Sequence, residues 1–234
     1  MQGMKRTAFS GPALVRLLAH FADLDVHEPA ESLSDRLSQW LGWTDAIALS
    51  TALATDPPAA FTTHGSRSVP RDIDEDCARV RTSLAGALAR EEAAARRRHR
   101  TPVQASQEDL PVDYANVRQR YLSLQQAMDT DIAALRTRLR SMLAARSPEM
   151  ARLAVVDAVM EQALSARERS LLANVPALLG KHFERLKRAH AADETSAPGA
   201  WLELFRKDLQ SVLLAELDVR FQPIEGLLAA LRIR

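Results

Sequence analysis

From Asp113 to Ser147 the apolar positions are Tyr114, Val117, Tyr121, Leu124, Met128, Ile132, Leu135, Leu139 and Met142. Their steps alternate between three and four residues, with one additional four-residue step between Met128 and Ile132. A repeat of this kind lines the apolar side chains along one face of an α-helix, as in a coiled-coil seam. The extra four is a stutter, which locally unwinds a left-handed supercoil. At about 1.5 Å per residue such a helix is about 50 Å long, more than a small compact domain needs. The seam formed by Tyr114, Val117, Tyr121, Leu124, Met128, Ile132, Leu135 and Leu139 is therefore expected to meet a partner or other long helices.

The same period recurs through most of the chain. Ser10-Gly11-Pro12 opens a first helix carrying Leu14, Leu17, Leu18 and Phe21, a hydroxyl cap followed by a proline in the first turn. A second short helix starts at Ser32 or Ser34, places Leu33, Leu37, Trp40 and Leu41 on one face, and stops at Gly42. Thr44 caps a third, from Asp45 to about Leu53, ended by Asp56-Pro57-Pro58. These predict a small N-terminal three-helix module over 1–56, with Trp40 and Trp43 anchoring its core. Residues 57–70, PPAAFTTHGSRSVP, have the composition of a linker. Over 71–234 a bundle of long amphipathic helices follows. One runs to about Arg100 with Ile73, Cys77, Val80, Leu84 and Leu88 on its stripe; the seam helix is next. Ser147-Pro148 opens another helix, Pro176 marks a kink or break in it, and a last helix from Trp201 to Leu231 is bent or restarted at Pro223. There is no strand pattern and no fixed repeat, so the fold class is all-α.

Composition supports helix: 8 glycines in 234 residues and 5% aromatics. Lys+Arg 31 against Asp+Glu 30 leaves the chain nearly neutral, which demands no polyanionic partner. The single cysteine, Cys77, rules out an internal disulfide and fits a reducing compartment. Arg16 and His20 interrupt the apolar run from Ala13 to Leu24, too short and broken for a signal peptide or a span. A cytoplasmic location is expected.

Chemistry is sparse. His20, Asp23, Asp25 and His27 are metal-ligand types, but they match no structural zinc spacing and read as a solvated helix end. His182, Glu184 and His190 lack the Glu-x-x-His arrangement of di-iron bundles. No serine elbow and no phosphate-binding glycine loop is present, and Cys77 lies on an apolar stripe. No catalytic residue, metal site or cofactor is expected. The run Arg96, Arg97, Arg98 and Arg100 is a candidate anion patch, reinforced by Arg136, Arg138, Arg140, Arg146 and Arg152. The blander reading is that these cations close a helix whose first turns are acidic, as the helix dipole favours. No aromatics are interleaved for base stacking. The face from Val212 to Arg234 suits a bundle seam more than a membrane surface.

Three stretches together carry a resemblance: Phe9-Ser10-Gly11-Pro12 with Leu17-Leu18; Leu33-Ser34-Asp35-Arg36-Leu37-Ser38-Gln39-Trp40-Leu41 continuing through Trp43-Thr44-Asp45-Ala46; and Leu213-Leu214-Ala215-Glu216-Leu217 with Gln222-Pro223-Ile224-Glu225-Gly226-Leu227-Leu228. With Ala158-Val159-Met160-Glu161-Gln162-Ala163-Leu164 they span nearly the whole chain, which resembles the proteobacterial family numbered 3348 among the domains of unknown function. The resemblance brings no activity, cofactor or catalytic residue. It implies a setting, since genes of this family often neighbour genes for envelope proteins and long coiled-coil membrane proteins: a cytoplasmic accessory of a cell-envelope complex. The residues themselves support a non-enzymatic helical interaction or scaffold protein, binding a protein partner or its own copies through long helices. The alternative is a nucleic-acid-associated protein using the Arg-rich helix ends.

Overall fold

A computed structural model of the chain describes residues 11–23, 31–54, 71–100, 113–192, 197 and 199–233; within 71–100 the side chains described are those of 73–87 and 90. Eight helices make up the described residues: α1 (Ala13–Ala22), α2 (Leu33–Trp40), α3 (Trp43–Ala54), α4 (Arg71–Arg100), α5 (Tyr114–Ala144), α6 (Pro148–Leu172), α7 (Val175–Ala192) and α8 (Ala200–Arg232). No strand occurs among them, and the protein is all-α.

The helix ends follow local chemistry. Ser32 caps α2 by accepting from Asp35 N, while Asp35 Oδ2 accepts from Ser32 N, a reciprocal capping box. Asp113 caps α5 by accepting from Ala115 N at 2.9 Å. Ser147 accepts from Met150 N, and Pro148, lacking an N–H, occupies the first turn of α6. Asp23 ends α1 in the left-handed region at φ 53°. Helix α8 runs unbroken through Pro223.

The α5 seam lies at the centre. α5 packs on α6 and α8 and touches α7 and α4; α8 also packs on α4, α7 and α1. Buried along α5 are Tyr121, Gln125, Met128, Ile132, Leu135, Leu139 and Leu143. The buried line has moved one residue from the sequence seam at two places, from Leu124 to Gln125 and from Met142 to Leu143. A straight helix turns once per 3.6 residues, so a three–four stripe drifts around it unless the helix supercoils. From α8, Val212, Leu217, Phe221, Ile224 and Leu231 complete the same core. The C-terminal face considered for a membrane surface is thus bundle interior. Among the described residues no helix is long and apolar enough to cross a membrane.

The N-terminal helices are present but do not form the expected compact module. α1 packs on α7 and α8, burying Leu14 and Phe21, whereas α3 packs on α6. α2 buries no residue, and α3 buries only Ala52. Helices of 8 to 12 residues offer too little apolar face to build a core together; α1 and α3 are held by long helices instead. The expected linker, 57–70, lies outside the described residues.

Candidate functional site

Most of the residues singled out by spacing are spent on holding the fold together. The seam is the main correction. Tyr121, Met128, Ile132, Leu135 and Leu139 are buried in the chain's own core, and Tyr114, Val117 and Leu124 are half-buried. α6 and α8 already cover this face, which leaves no seam for an outside helix. Periodicity marks a face that needs covering; it does not say which chain supplies the cover.

At the middle of that interface lies a polar cluster that spacing did not reveal. Glu216 of α8 is 0% exposed. Its carboxylate accepts from the Tyr121 hydroxyl, from Gln125 Nε2 at 2.8 Å, and from Arg220 Nε and Nη2 at 2.9 and 2.7 Å. Arg220 also pairs with Asp129, and Glu168 lies 3.9 Å from it. Both Glu216 oxygens are engaged and Arg220 is buried beside them, so the cluster reads as a structural tie between α5 and α8. The signal available in the sequence was Glu216 within the apolar run Leu213–Leu217, with Arg220 one turn later.

Of the metal-ligand types, His182 is buried between helices. Its Nε2 lies 2.8 Å from Asp208 Oδ2, and Arg185 Nη2 lies 3.0 Å from Nδ1. Phe21 of α1 stacks on the ring at 4.3 Å between centroids. An arginine only donates, so Nδ1 is the acceptor and Nε2 carries the proton toward Asp208. Glu184 is exposed and His190 half-buried. His20 is exposed, Asp23 closes α1, and Asp25 and His27 lie outside the described residues. Among the described residues no group of three His, Cys, Asp or Glu is placed to hold a metal. Cys77 is buried beside Asp74 and Asp76; burial first, then these two charges, push its thiol pKa up.

Arg136, Arg138 and Arg140 of the Arg-rich zone are neutralised internally. Arg136 grips Asp157 with two parallel bonds of 2.8 and 2.7 Å; Arg140 reaches Asp157 at 3.1 Å and also Glu161. Arg138 pairs with Asp76, and Arg146 donates to the Ile233 carbonyl at 2.7 Å. Arg96, Arg97, Arg98 and Arg100 close α4, but their side chains lie outside the described residues.

The two tryptophans sit at the surface. Trp43 is 82% exposed at the start of α3, and Trp40 is half-buried with the Arg167 guanidinium 5.6 Å above its ring. Leu33 is 72%, Leu53 57% and Ile47 51% exposed on the same two helices. An open, shallow depression there is lined by Leu41, Ala46, Leu49, Ser50, Leu53 and Ala54. On α3 these step by three, one, three and one, a helical stripe in which small residues at 46, 50 and 54 flank Leu49 and Leu53. α3 is apolar nearly all the way round, yet only a narrow strip of it meets α6. A helix of that character is normally covered on more than one side, and contiguous apolar surface marks an interaction site.

A family model described as a protein of unknown function (DUF3348) matches residues 1–233. No curated protein and no solved structure matches the chain.

Proposed function

The chain belongs to the DUF3348 family, and we propose that it is a non-enzymatic helical interaction protein whose docking face is the apolar surface of α2 and α3. The single observation that carries this reading is Trp43, 82% exposed with Ile47 one turn along at 51%. Tryptophans that become buried only on binding are among the usual anchors of protein interfaces. The occupant we assign is an amphipathic helix of a partner protein. It would lie along the stripe of Ala46, Leu49, Ser50, Leu53 and Ala54, where small residues admit a helix backbone, with Trp43 and Ile47 flanking it. The buried bundle of α5 to α8 serves as the rigid platform. The family resemblance supports a cytoplasmic accessory of a cell-envelope complex as the setting.

The test is quantitative affinity purification of the full chain beside a Trp43→Asp, Ile47→Asp variant, with light scattering on both. The expected result is a helical partner retained by the native chain and lost from the variant, whose circular dichroism is unchanged. A partner retained equally by both, or a self-association that the variant disrupts, would overturn the assignment.

A further inference from the structure

Charge is unevenly spread over this nearly neutral chain. On α4, α5 and α8 many of the cations are matched: Arg79 and Arg138 with Asp76, Arg81 with Asp218 and Glu225, Arg220 with Glu216 and Asp129, Arg232 with Asp74. α7 differs. It carries Lys181, Arg185, Lys187 and Arg188 against one carboxylate, Glu184, with Asp193 and Glu194 following beyond its end in the sequence. All four cations are exposed, and none is in an ion pair with a carboxylate among the described residues. Arg185 is held by His182 Nδ1, and Arg188 Nε donates to the Glu184 carbonyl at 3.1 Å.

Position on the helix makes these four a surface. Lys181, Arg185 and Arg188 step by four and three, on the side opposite the buried Val175, Leu179, His182 and Phe183. Seven residues at about 1.5 Å each set the stripe's length at about 10 Å. Lys187 stands to one side. Arg118 of α5 extends the positive field: its charge acts on Tyr114, whose ring lies against Gly180. α1, packed on α7, adds exposed Arg16 and His20.

What the face lacks narrows its partner. Alanines 177, 189 and 192 fill the space between the charges, and no large apolar side chain of α7 is exposed. The face therefore has no anchor of the kind a protein interface uses and no apolar wedge for a bilayer. No aromatic is there to stack on an unpaired base. Point charges remain, and the partner bound through charge alone is a dense polyanion. A nucleic-acid duplex carries one negative charge per about 1.7 Å of axis and releases counterions on contact, so a stripe of this length meets several phosphates.

We infer that the exposed face of α7 binds the phosphate backbone of duplex nucleic acid without sequence preference, through Lys181, Arg185 and Arg188 with Lys187 at the edge. This surface is separate from α2 and α3 and stands independently of the docking face. The experiment is fluorescence anisotropy of a labelled DNA duplex titrated with the full chain, over salt from about 20 to 200 mM. Three contacted phosphates give a slope of log K against log salt of about −3. The double variant Lys181→Glu, Arg188→Glu is expected to weaken binding at least tenfold at the lowest salt. Glu184→Lys is expected to tighten it and steepen the slope by about one, a gain that misfolding cannot imitate. Absence of duplex binding at the lowest salt, binding indifferent to all three substitutions, or binding to phosphatidylglycerol vesicles or polyglutamate with none to the duplex would each overturn the proposal.

Discussion

Arg220 donates through both Nε and Nη2 to Oε1 of Glu216, one helical turn before it on α8, at 2.9 and 2.7 Å. The pair is closed off from water and tied to α5 by Tyr121 and Gln125. Removing one partner strands a charge in the core. Glu216→Ala is expected to cost about 3–5 kcal/mol, as for other broken buried pairs. Replacing both, Glu216→Leu with Arg220→Leu, is expected to cost less than the single change, because no unpaired charge remains. Urea denaturation midpoints of the two variants check the order; a double variant weaker than the single would contradict it.

The phenols at the bundle centre make stability fall in alkali. Burial, then the Glu216 charge, holds Tyr121 far above the ordinary 10.0, and burial pushes Tyr114 up to about 12. Above pH 10 the unfolded chain releases these protons while the folded chain keeps them, so the unfolded state binds fewer protons and stability drops with rising pH. For Tyr114 the contribution is whole below pH 10 and lost as pH rises through about 12. Denaturation midpoints at about pH 9 and 11 should differ in that direction. Tyr114→Phe, which loses the bond to the Pro176 carbonyl, should cost about 1 kcal/mol at pH 9 and flatten the fall.

Gly180 is where α7 admits the Tyr114 ring. A Cβ there would meet Tyr114 Cε1 at 2.8 Å. Alanine is the better helix former by about 1 kcal/mol, but overpacking a fixed ring costs about 1–3 kcal/mol. Gly180→Ala is therefore expected to lower the thermal midpoint, and adding Tyr114→Leu to recover part of the loss. A rise in the midpoint would show that the ring moves aside freely.

The tryptophans should answer differently from core residues. Trp43→Ala is expected to change stability by no more than about 0.5 kcal/mol, as for other surface positions. Trp40→Ala removes the stacking on Arg167 and should cost about 1 kcal/mol. Melting curves of the two variants check this, and a loss of several kcal/mol from Trp43→Ala would place that ring in a core.

Legibility in the sequence followed the range of the interaction. The helices and the caps at Ser32 and Ser147 depend on residues within four positions and were readable; the caps expected from Ser10 and Thr44 were not, since Pro12 precedes α1 with no side-chain cap bond and α3 already begins at Trp43. So was the apolar character of the α5 face, from Tyr121 to Leu139. What covers that face was not, because α6 and α8 are brought there by contacts between distant segments. The same limit hid Tyr121 and Gln125 as partners of Glu216, 95 and 91 residues away. Trp40 and Trp43 misled because aromatic content suggests burial, whereas α3 rests on α6 along one narrow strip and α2 buries no residue. The α7 cations were visible as letters, but their lack of carboxylate partners emerged only beside the matched arginines of α5 and α8.

The central claim is that α3 presents its apolar stripe to a partner helix. The most direct measurement is photo-crosslinking in the native host from a reactive side chain at position 47, with an equivalent label at the exposed Glu75 of α4 as control. The account predicts one discrete adduct from position 47, mapped to an amphipathic helix of another protein, absent from position 75 and abolished by Trp43→Asp. Adducts no more frequent from position 47 than from position 75 would contradict it.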